Sequence, residues 1–190
     1  MAKREKKPTE FVLGPRTRAS YVHLLEKAAI EGGKPHYSCC FLIPKDDTKT
    51  VEAVKAAFKA AYEAGESVLK GTGKSMPSLA SLNKPLRDGD EEYPDREEYR
   101  GCYFINANNY NRRPGIFDKE FQPITDPDEI YSGMYVKAFC SCYAFNHGVN
   151  KGIAFSLEHV MKVADGERLG GAFISPEDAF GDDDEEDFLS

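Results

Sequence analysis

The sequence predicts a mainly β fold in which about five strands form a small closed barrel with one helix inserted among them. Aromatic and apolar residues occur in short runs that are separated by turn signals, as in strands. A single stretch shows the apolar spacing of three and four residues that indicates an amphipathic helix. With 190 residues, 41% of them apolar, the chain is long enough to bury one sizeable core.

The first third of the chain is predicted to form a hairpin. Residues 20–25 and 37–43 are rich in aromatic and apolar residues, and the EGGKP stretch between them favours a turn. The preceding residues 1–18 carry six basic and two acidic side chains. We therefore expect a flexible basic segment at residues 1–18, followed by the folded domain at residues 19–175.

A helix is predicted over residues 50–64. Val51, Val54 and Phe58 recur on one face of this stretch, and Gly65 is expected to end it. Residues 66–100 are polar and repeatedly interrupted by glycine and proline, so they are predicted to be mostly loop with one short helical turn. So long a loop in a compact domain is typically functional or mobile.

The second half of the chain contains the remaining strands, predicted at residues 102–108, 115–118, 134–145 and 152–163. About five main strands with one helix among them fit a barrel of the OB type better than a sandwich. The predicted fold is thus a five-stranded OB-type barrel with one inserted helix and a long polar loop.

The C-terminal residues 176–190 dominate the charge of the chain. They contain eight acidic and no basic residues, so that the remaining residues have a net charge of +1 although the whole chain has −7. Successive acids repel one another and are expected to form an extended, solvated tail. The residues predicted to form a partner-binding tail are Asp182, Asp183, Asp184, Glu185, Glu186, Asp187, Phe188 and Leu189.

Enzymatic and metal-binding interpretations have weaker support. Five cysteines are expected to be reduced thiols, and their spacing is poor for zinc. GTGKS at residues 71–75 lacks the first glycine of a Walker loop, and no histidine lies in a triad pattern. The carboxylates of RDGDEE at residues 87–92 leave a metal-dependent nuclease as an alternative. We predict a protein without catalytic residues, cofactor or metal.

The strand predicted at residues 134–145 is the strongest candidate for a binding surface. One set of alternate residues is small or apolar, as a barrel interior requires, whereas the other contains four aromatics and a lysine. Such a face can stack the bases of a single strand, although the alternative of packing beneath a helix or loop stays open. The residues predicted to bind nucleic acid are Tyr103, Tyr110, Arg112, Arg113, Tyr135, Lys137, Phe139, Tyr143 and Lys151, with a further contribution from Arg168.

Six segments of the chain together carry a family resemblance. They are EGGKPHYSCCFLIPKDD (31–47), PLRDGD (85–90), GCYFINANN (101–109), RPGIFD (113–118), YSGMYVKAF (131–139) and NKGIAFSLEHVMKVADGERLGG (150–171). In this order they resemble a family of bacteriophage single-stranded DNA-binding proteins, and the similarity spans residues 18–175. The resemblance implies an OB barrel and sequence-independent binding of single-stranded DNA in phage replication or recombination, without catalysis.

The resemblance also bears on the tail and on partners. Acidic tails that end in an aromatic residue are a recurrent feature of single-stranded DNA-binding proteins, in which they dock polymerases, helicases and nucleases; here Leu189 and Ser190 follow Phe188. We expect a protein of the host cytoplasm, with no membrane association and with an RNA-binding OB protein as the alternative. The oligomeric state is left open, a homodimer included.

Overall fold

The computed structural model describes residues 3–29 and 32–170. The predicted acidic tail at residues 176–190 lies outside them. The described strands are β1 (Glu10–Ala28), β2 (His36–Pro44), β3 (Arg87–Asp88), β4 (Cys102–Asn109), β5 (Gly115–Phe117), β6 (Tyr135–His147) and β7 (Asn150–Ala164). The described α-helices are α1 (Thr48–Ala64), α2 (Glu66–Lys70) and α3 (Gly89–Glu92).

Five of the strands close into a barrel. Strand β1 pairs antiparallel with β2 and β6, β2 pairs with β4, and β6 pairs with β7. A parallel pairing of β4 with β7 completes the ring, while β3 and β5 add short flanking strands. The prediction of a five-stranded OB-type barrel is confirmed.

Helix α1 packs against β1 and β6. The Asp47 side chain accepts a hydrogen bond from the Thr50 backbone N–H and so caps the first turn. The predicted apolar face is buried, and the Phe58 ring lies 6.3 Å from that of Phe155 on β7. The helix predicted at residues 50–64 is therefore confirmed, and it contributes its apolar stripe to the barrel core.

Strand β1 is longer than the sequence predicted. It begins at Glu10, so residues 10–18 belong to the barrel rather than to a flexible segment. Phe11 and Leu13 are buried in the main core. The pairing with β6 shifts register between Leu13 and Thr17, and this irregularity accommodates Gly14 and Pro15 within the strand.

Residues 87–101, here called the cover segment, cross the outer face of β2 and β4. Tyr93 and Tyr99 pack on Phe104 with ring centroids 5.6 and 5.1 Å away, and they form a second apolar cluster that also contains Cys40 and Leu42. The region predicted as mostly loop thus buries aromatic side chains of its own.

The acidic side chains of RDGDEE hold this segment in place. Lys45 Nζ lies 2.7 Å from carboxylate oxygens of both Asp88 and Asp90, and these hydrogen bonds lower the pKa of each carboxyl. Arg87 Nε donates to both carboxylate oxygens of Glu92, at 3.1 and 3.0 Å. Within the described residues, no group of three or more potential ligands is arranged to hold a metal ion.

All five cysteines are free, and four of them are buried. Burial raises the pKa of Cys40 to about 11 and that of Cys142 to about 12. These side chains act as small apolar residues, as the sequence predicted. No helix of the described part is long and apolar enough to span a membrane.

Candidate nucleic-acid interface

The two faces of β6 divide as the alternation predicts. Val136, Ala138, Cys140 and Cys142 are buried in the main core, whereas the intervening residues are exposed or half-buried. The aromatic face therefore points out of the barrel, since neighbouring side chains of a strand lie on opposite sides of the sheet.

The outward residues of β6 do not form a single platform, however. Tyr135 lies beside Arg18, whose guanidinium carbon is 5.5 Å from the ring centroid. Phe139 is stacked on His159 at 6.4 Å, and Tyr143 is 45% exposed. At about 3.3 Å per residue, Tyr135 and Tyr143 are roughly 26 Å apart along the strand. They belong to different surfaces of the protein.

A row of small polar side chains crosses the outer face of the barrel. Successive cross-strand pairs join His23 to Ser38, Ser38 to Asn108, Asn108 to Ser156, and Ser156 to Ser141. The row therefore touches all five strands and runs around the closed barrel. With strands about 4.8 Å apart, its four intervals follow the curved sheet for roughly 19 Å.

A second row lies beside the first. Cys40 pairs with Asn106, and Ala154 pairs with Tyr143 at the β6 end. Cys40 is buried beneath the cover segment, and the other side chains of the two rows are small apart from the tyrosine. We call the surface formed by the remaining residues the polar channel, defined by residues His23, Ser38, Asn106, Asn108, Ser141, Tyr143, Ala154 and Ser156.

One wall of the polar channel is formed by the cover segment and the residues before it. Asn83, Lys84 and Arg87 line a cavity of about 350 Å³ together with channel residues Asn106 and Asn108. The Arg87 guanidinium lies 4.6 Å from the centroid of the Phe104 ring. This wall places two cations next to the small polar floor, and Glu92, which pairs with Arg87, lines the same cavity.

The opposite wall combines aromatic rings with lysines. Tyr110 lies 4.7 Å from the His36 ring, and Lys34 Nζ is 5.7 Å from the Tyr110 centroid. Lys27 Nζ donates to the Tyr110 carbonyl at 2.8 Å. Burial, and secondarily Tyr110, raise the pKa of Tyr143.

Of the two predicted arginines that follow β4, one is paired with a carboxylate and the other is exposed. Arg112 Nη2 lies 2.7 Å from Glu158 Oε2, and Glu158 is the next outward residue of β7 after Ser156. The pair neutralises a carboxylate that would otherwise repel a phosphate near the channel. Arg113 is exposed beside it.

Two predicted residues lie away from this surface. Tyr103 packs against the main core on the opposite side of β4 from Asn106, with Lys45 Nζ 5.2 Å from its ring centroid. Lys151 pairs with Asn146, whose side-chain amide donates to the Val68 carbonyl of α2. We therefore leave both out of the channel. Alternation was applied only to residues 134–145; the side of the sheet on which Tyr103 lies depends on what β4 packs against.

A separate basic groove lies beyond the cover segment. Its cavity of about 640 Å³ is lined by Tyr135, four arginines and three glutamates. Arg18 Nε donates to the Gly133 carbonyl at 3.1 Å, and its Nη2 donates to the Glu167 carbonyl at 2.5 Å. The arginines are Arg16, Arg18, Arg100 and Arg168, and the glutamates are Glu97, Glu98 and Glu167.

Neither the floor of the channel nor most of the basic groove is predicted from the sequence. Serine and asparagine carry no strong signal for nucleic acid, and Arg16 and Arg18 fall in the segment that is predicted to be flexible. The general preference of OB folds for binding oligonucleotides on the face of their second and third strands, here β2 and β4, is the signal that would have found the channel.

Comparison with known proteins places the chain in a family. A family model described as the ssDNA-binding protein of Enterobacter phage Enc34 matches residues 9–189. Putative protein p50 of Acyrthosiphon pisum secondary endosymbiont phage 1 is 31% identical over 173 residues, which cover 87% of this chain and 89% of the relative.

Solved structures agree with this match. The single-stranded DNA-binding protein from bacteriophage Enc34 in complex with ssDNA superposes with a TM-score of 0.65 at 30% identity, covering 89% of this chain and 97% of that one. The single-stranded DNA-binding protein gp2.5 of bacteriophage T7 shares the fold, with a TM-score of 0.56 at 14% identity over 86% of this chain and 96% of its own. The chain belongs to the Enc34 family of phage ssDNA-binding proteins.

Proposed function

We propose that this protein binds single-stranded DNA without sequence preference and that the strand lies in the polar channel. The observation that carries the proposal is the continuous row from His23 to Ser141, which crosses all five barrel strands. Membership in the Enc34 family supports the choice of ligand.

The chemistry of the channel suits a single strand. Small side chains on its floor let bases approach the sheet, and Tyr143 and Tyr110 offer ring faces on which any base can stack. Lys34 and Lys84 stand along the walls, where they can contact phosphates, whereas Arg87 is paired with Glu92. Stacking and phosphate contacts read no base edges, and this accounts for binding that is independent of sequence.

We propose a role in phage DNA replication or recombination in the host cytoplasm, exercised by binding alone. Asp88, Asp90 and Glu92 are the carboxylates a metal-dependent nuclease would need, and each is engaged by a lysine or an arginine. These ion pairs support a structural role for the RDGDEE segment at residues 87–92.

The acidic tail is proposed to regulate binding and to recruit protein partners. Gly170, the last described residue, lines the basic groove beside Arg16, Arg18 and Arg168, so the described part of the chain ends next to a cluster of cations. The 20 residues that follow can reach at most about 66–72 Å. Their six successive acids can therefore compete with phosphates for the basic surfaces, and Phe188 and Leu189 can enter an apolar pocket of a replication protein.

A titration of labelled dT oligomers of several lengths at two salt concentrations tests the function. We expect tight binding of single strands, weak binding of a duplex of the same length, and loss of affinity as salt rises, because phosphate contacts release counterions. Equal affinity for single strands and duplex would refute the proposal. An RNA oligomer that competes better than DNA would favour the RNA-binding alternative, and magnesium-dependent loss of the labelled strand would favour a nuclease.

A further inference from the structure

Tyr21 has an unusual backbone conformation for an aromatic residue. Its φ is +47°, and only one other non-glycine residue of the described part, Phe121, has a positive φ. Bulky side chains rarely adopt this left-handed region, and such strain persists mainly where the position serves a function.

The conformation of Tyr21 turns its side chain outward. It lies where the pairing of β1 with β2 shifts register, between the Ser20–Cys40 and His23–Ser38 pairs. Bulges of this kind re-aim a side chain. Tyr21 is 51% exposed and belongs to neither apolar cluster. The strain therefore does not serve the core.

The position of Tyr21 is the β1 end of the polar channel. Ser20 pairs with Cys40, which pairs with Asn106, and His23 begins the row that ends at Ser141. The tyrosine lies between these two rows, at the opposite end of the channel from Tyr143.

Arg96 of the cover segment meets Tyr21 at this end. Its Nη1 donates to the Tyr21 hydroxyl, and its guanidinium carbon lies 5.4 Å from the Tyr21 ring centroid. The same guanidinium carbon lies 5.8 Å from the Tyr93 ring centroid and 5.1 Å from that of Tyr99. Glu98 Oε1 lies 2.5 Å from Arg96 Nη2. A guanidinium has five N–H donors, so donors remain for a further acceptor.

We propose that Tyr21 and Arg96 form a nucleotide subsite in which a base stacks on the Tyr21 ring and a phosphate binds the Arg96 guanidinium. The aromatic rings around Arg96 fix its planar donor fork, which matches the oxygens of a phosphate. The subsite rests on the proposed function, because its ligand is one nucleotide of the strand in the polar channel.

The test replaces Tyr21 by glycine, the residue that tolerates its backbone conformation best. Tyr21→Gly is expected to lower the affinity for a dT oligomer about 5- to 150-fold, the range measured for loss of a stacked base. Phe121→Gly is the matched control, since Phe121 also has a positive φ and is 73% exposed but lies in another groove. The control should bind as the wild type does, and neither variant should melt at a lower temperature.

Arg96 is tested by its salt dependence. Arg96→Ala should reduce the slope of log affinity against log salt by about 0.7, the value for one phosphate of a single strand. Arg96→Lys should keep that slope but bind more weakly, because a lysine lacks the planar fork.

The outcomes separate the subsite from the function on which it rests. A wild-type protein that binds duplex as well as single strands overturns both. A wild-type protein that prefers single strands, together with a Tyr21→Gly variant of unchanged affinity, overturns the subsite alone. An unchanged salt slope in Arg96→Ala overturns the phosphate contact.

Discussion

Tyr143 and Tyr135 provide a matched pair for testing where the strand lies. Both are tyrosines on the outward face of β6, about 26 Å apart, but Tyr143 ends the polar channel and Tyr135 lines the basic groove. If the strand occupies the channel, Tyr143→Ala removes a stacking surface that Tyr135→Ala leaves intact. A difference in DNA affinity between the two variants therefore reports where the strand lies, because the same residue type is removed in both.

The magnitude follows from one stacked base. Losing such a contact costs about 1–3 kcal/mol, and we expect the lower half of this range because only about half of Tyr143 is open to solvent. The dissociation constant should rise about 5- to 30-fold, at roughly 1.4 kcal/mol per factor of ten. No charge is removed, so the salt dependence should keep its slope.

Fluorescence anisotropy of a labelled dT oligomer measures the affinity, and thermal unfolding gives the control. Tyr143 belongs to neither apolar cluster, so its variant should melt within a few degrees of the wild type. A core aromatic such as Phe41 would instead cost about 3–5 kcal/mol of stability. Unchanged binding by Tyr143→Ala, together with weakened binding by Tyr135→Ala, would refute the channel and move the strand to the basic groove.

The remaining predictions concern the tail and the cover segment. Deleting residues 181–190 removes six acids and changes the net charge from −7 to −1. The truncated protein should bind single strands more tightly than the full-length protein, with the largest gain at low salt, where screening is weakest. If the two proteins have the same affinity at both salt concentrations, this prediction is contradicted. Phe188→Ala should leave DNA affinity unchanged but abolish capture of polymerase or nuclease from host lysate, and retained capture would contradict a docking role. Lys45→Ala should lower the melting temperature at pH 7. Lys45 lowers the pKa values of Asp88 and Asp90 in the folded protein, so these ion pairs stabilise the fold at pH values above the ordinary carboxyl pKa of 3.8. The difference from the wild type should shrink as the pH falls through those lowered pKa values, and a difference that is constant down to acid pH would exclude the ion pairs as its cause.

Patterns within one element determined much of the fold. The alternation of residues 134–145 predicted which side chains of β6 face the core, and the spacing of Val51, Val54 and Phe58 predicted α1. Both predictions are confirmed because periods of 2 and 3.6 residues depend only on local backbone geometry. The count of strands and the single long helix then sufficed to identify an OB-type barrel.

Local pattern failed where pairing partners set the structure. Residues 1–18 are predicted to be flexible, yet β1 begins at Glu10 and continues through Gly14 and Pro15 because a bulge against β6 absorbs the irregularity. Tyr103 and Tyr110 are both predicted to bind nucleic acid, but Tyr103 packs against the main core, whereas Tyr110 is exposed beside His36. Which of the two faces the solvent depends on the elements that pack on each side of the sheet, and the sequence of one strand does not contain that information.

The polar channel is a property of the tertiary structure alone. Its first row takes one residue from each of five strands, and His23 and Ser156 are 133 positions apart in the chain. Cross-strand register brings them together, and register is fixed by which strands pair and by the bulges between them. The sequence by itself determined that a barrel forms and that β6 has an aromatic outer face. Only the closed sheet decided which outward residues share a surface, because that depends on hydrogen bonds between segments distant in sequence.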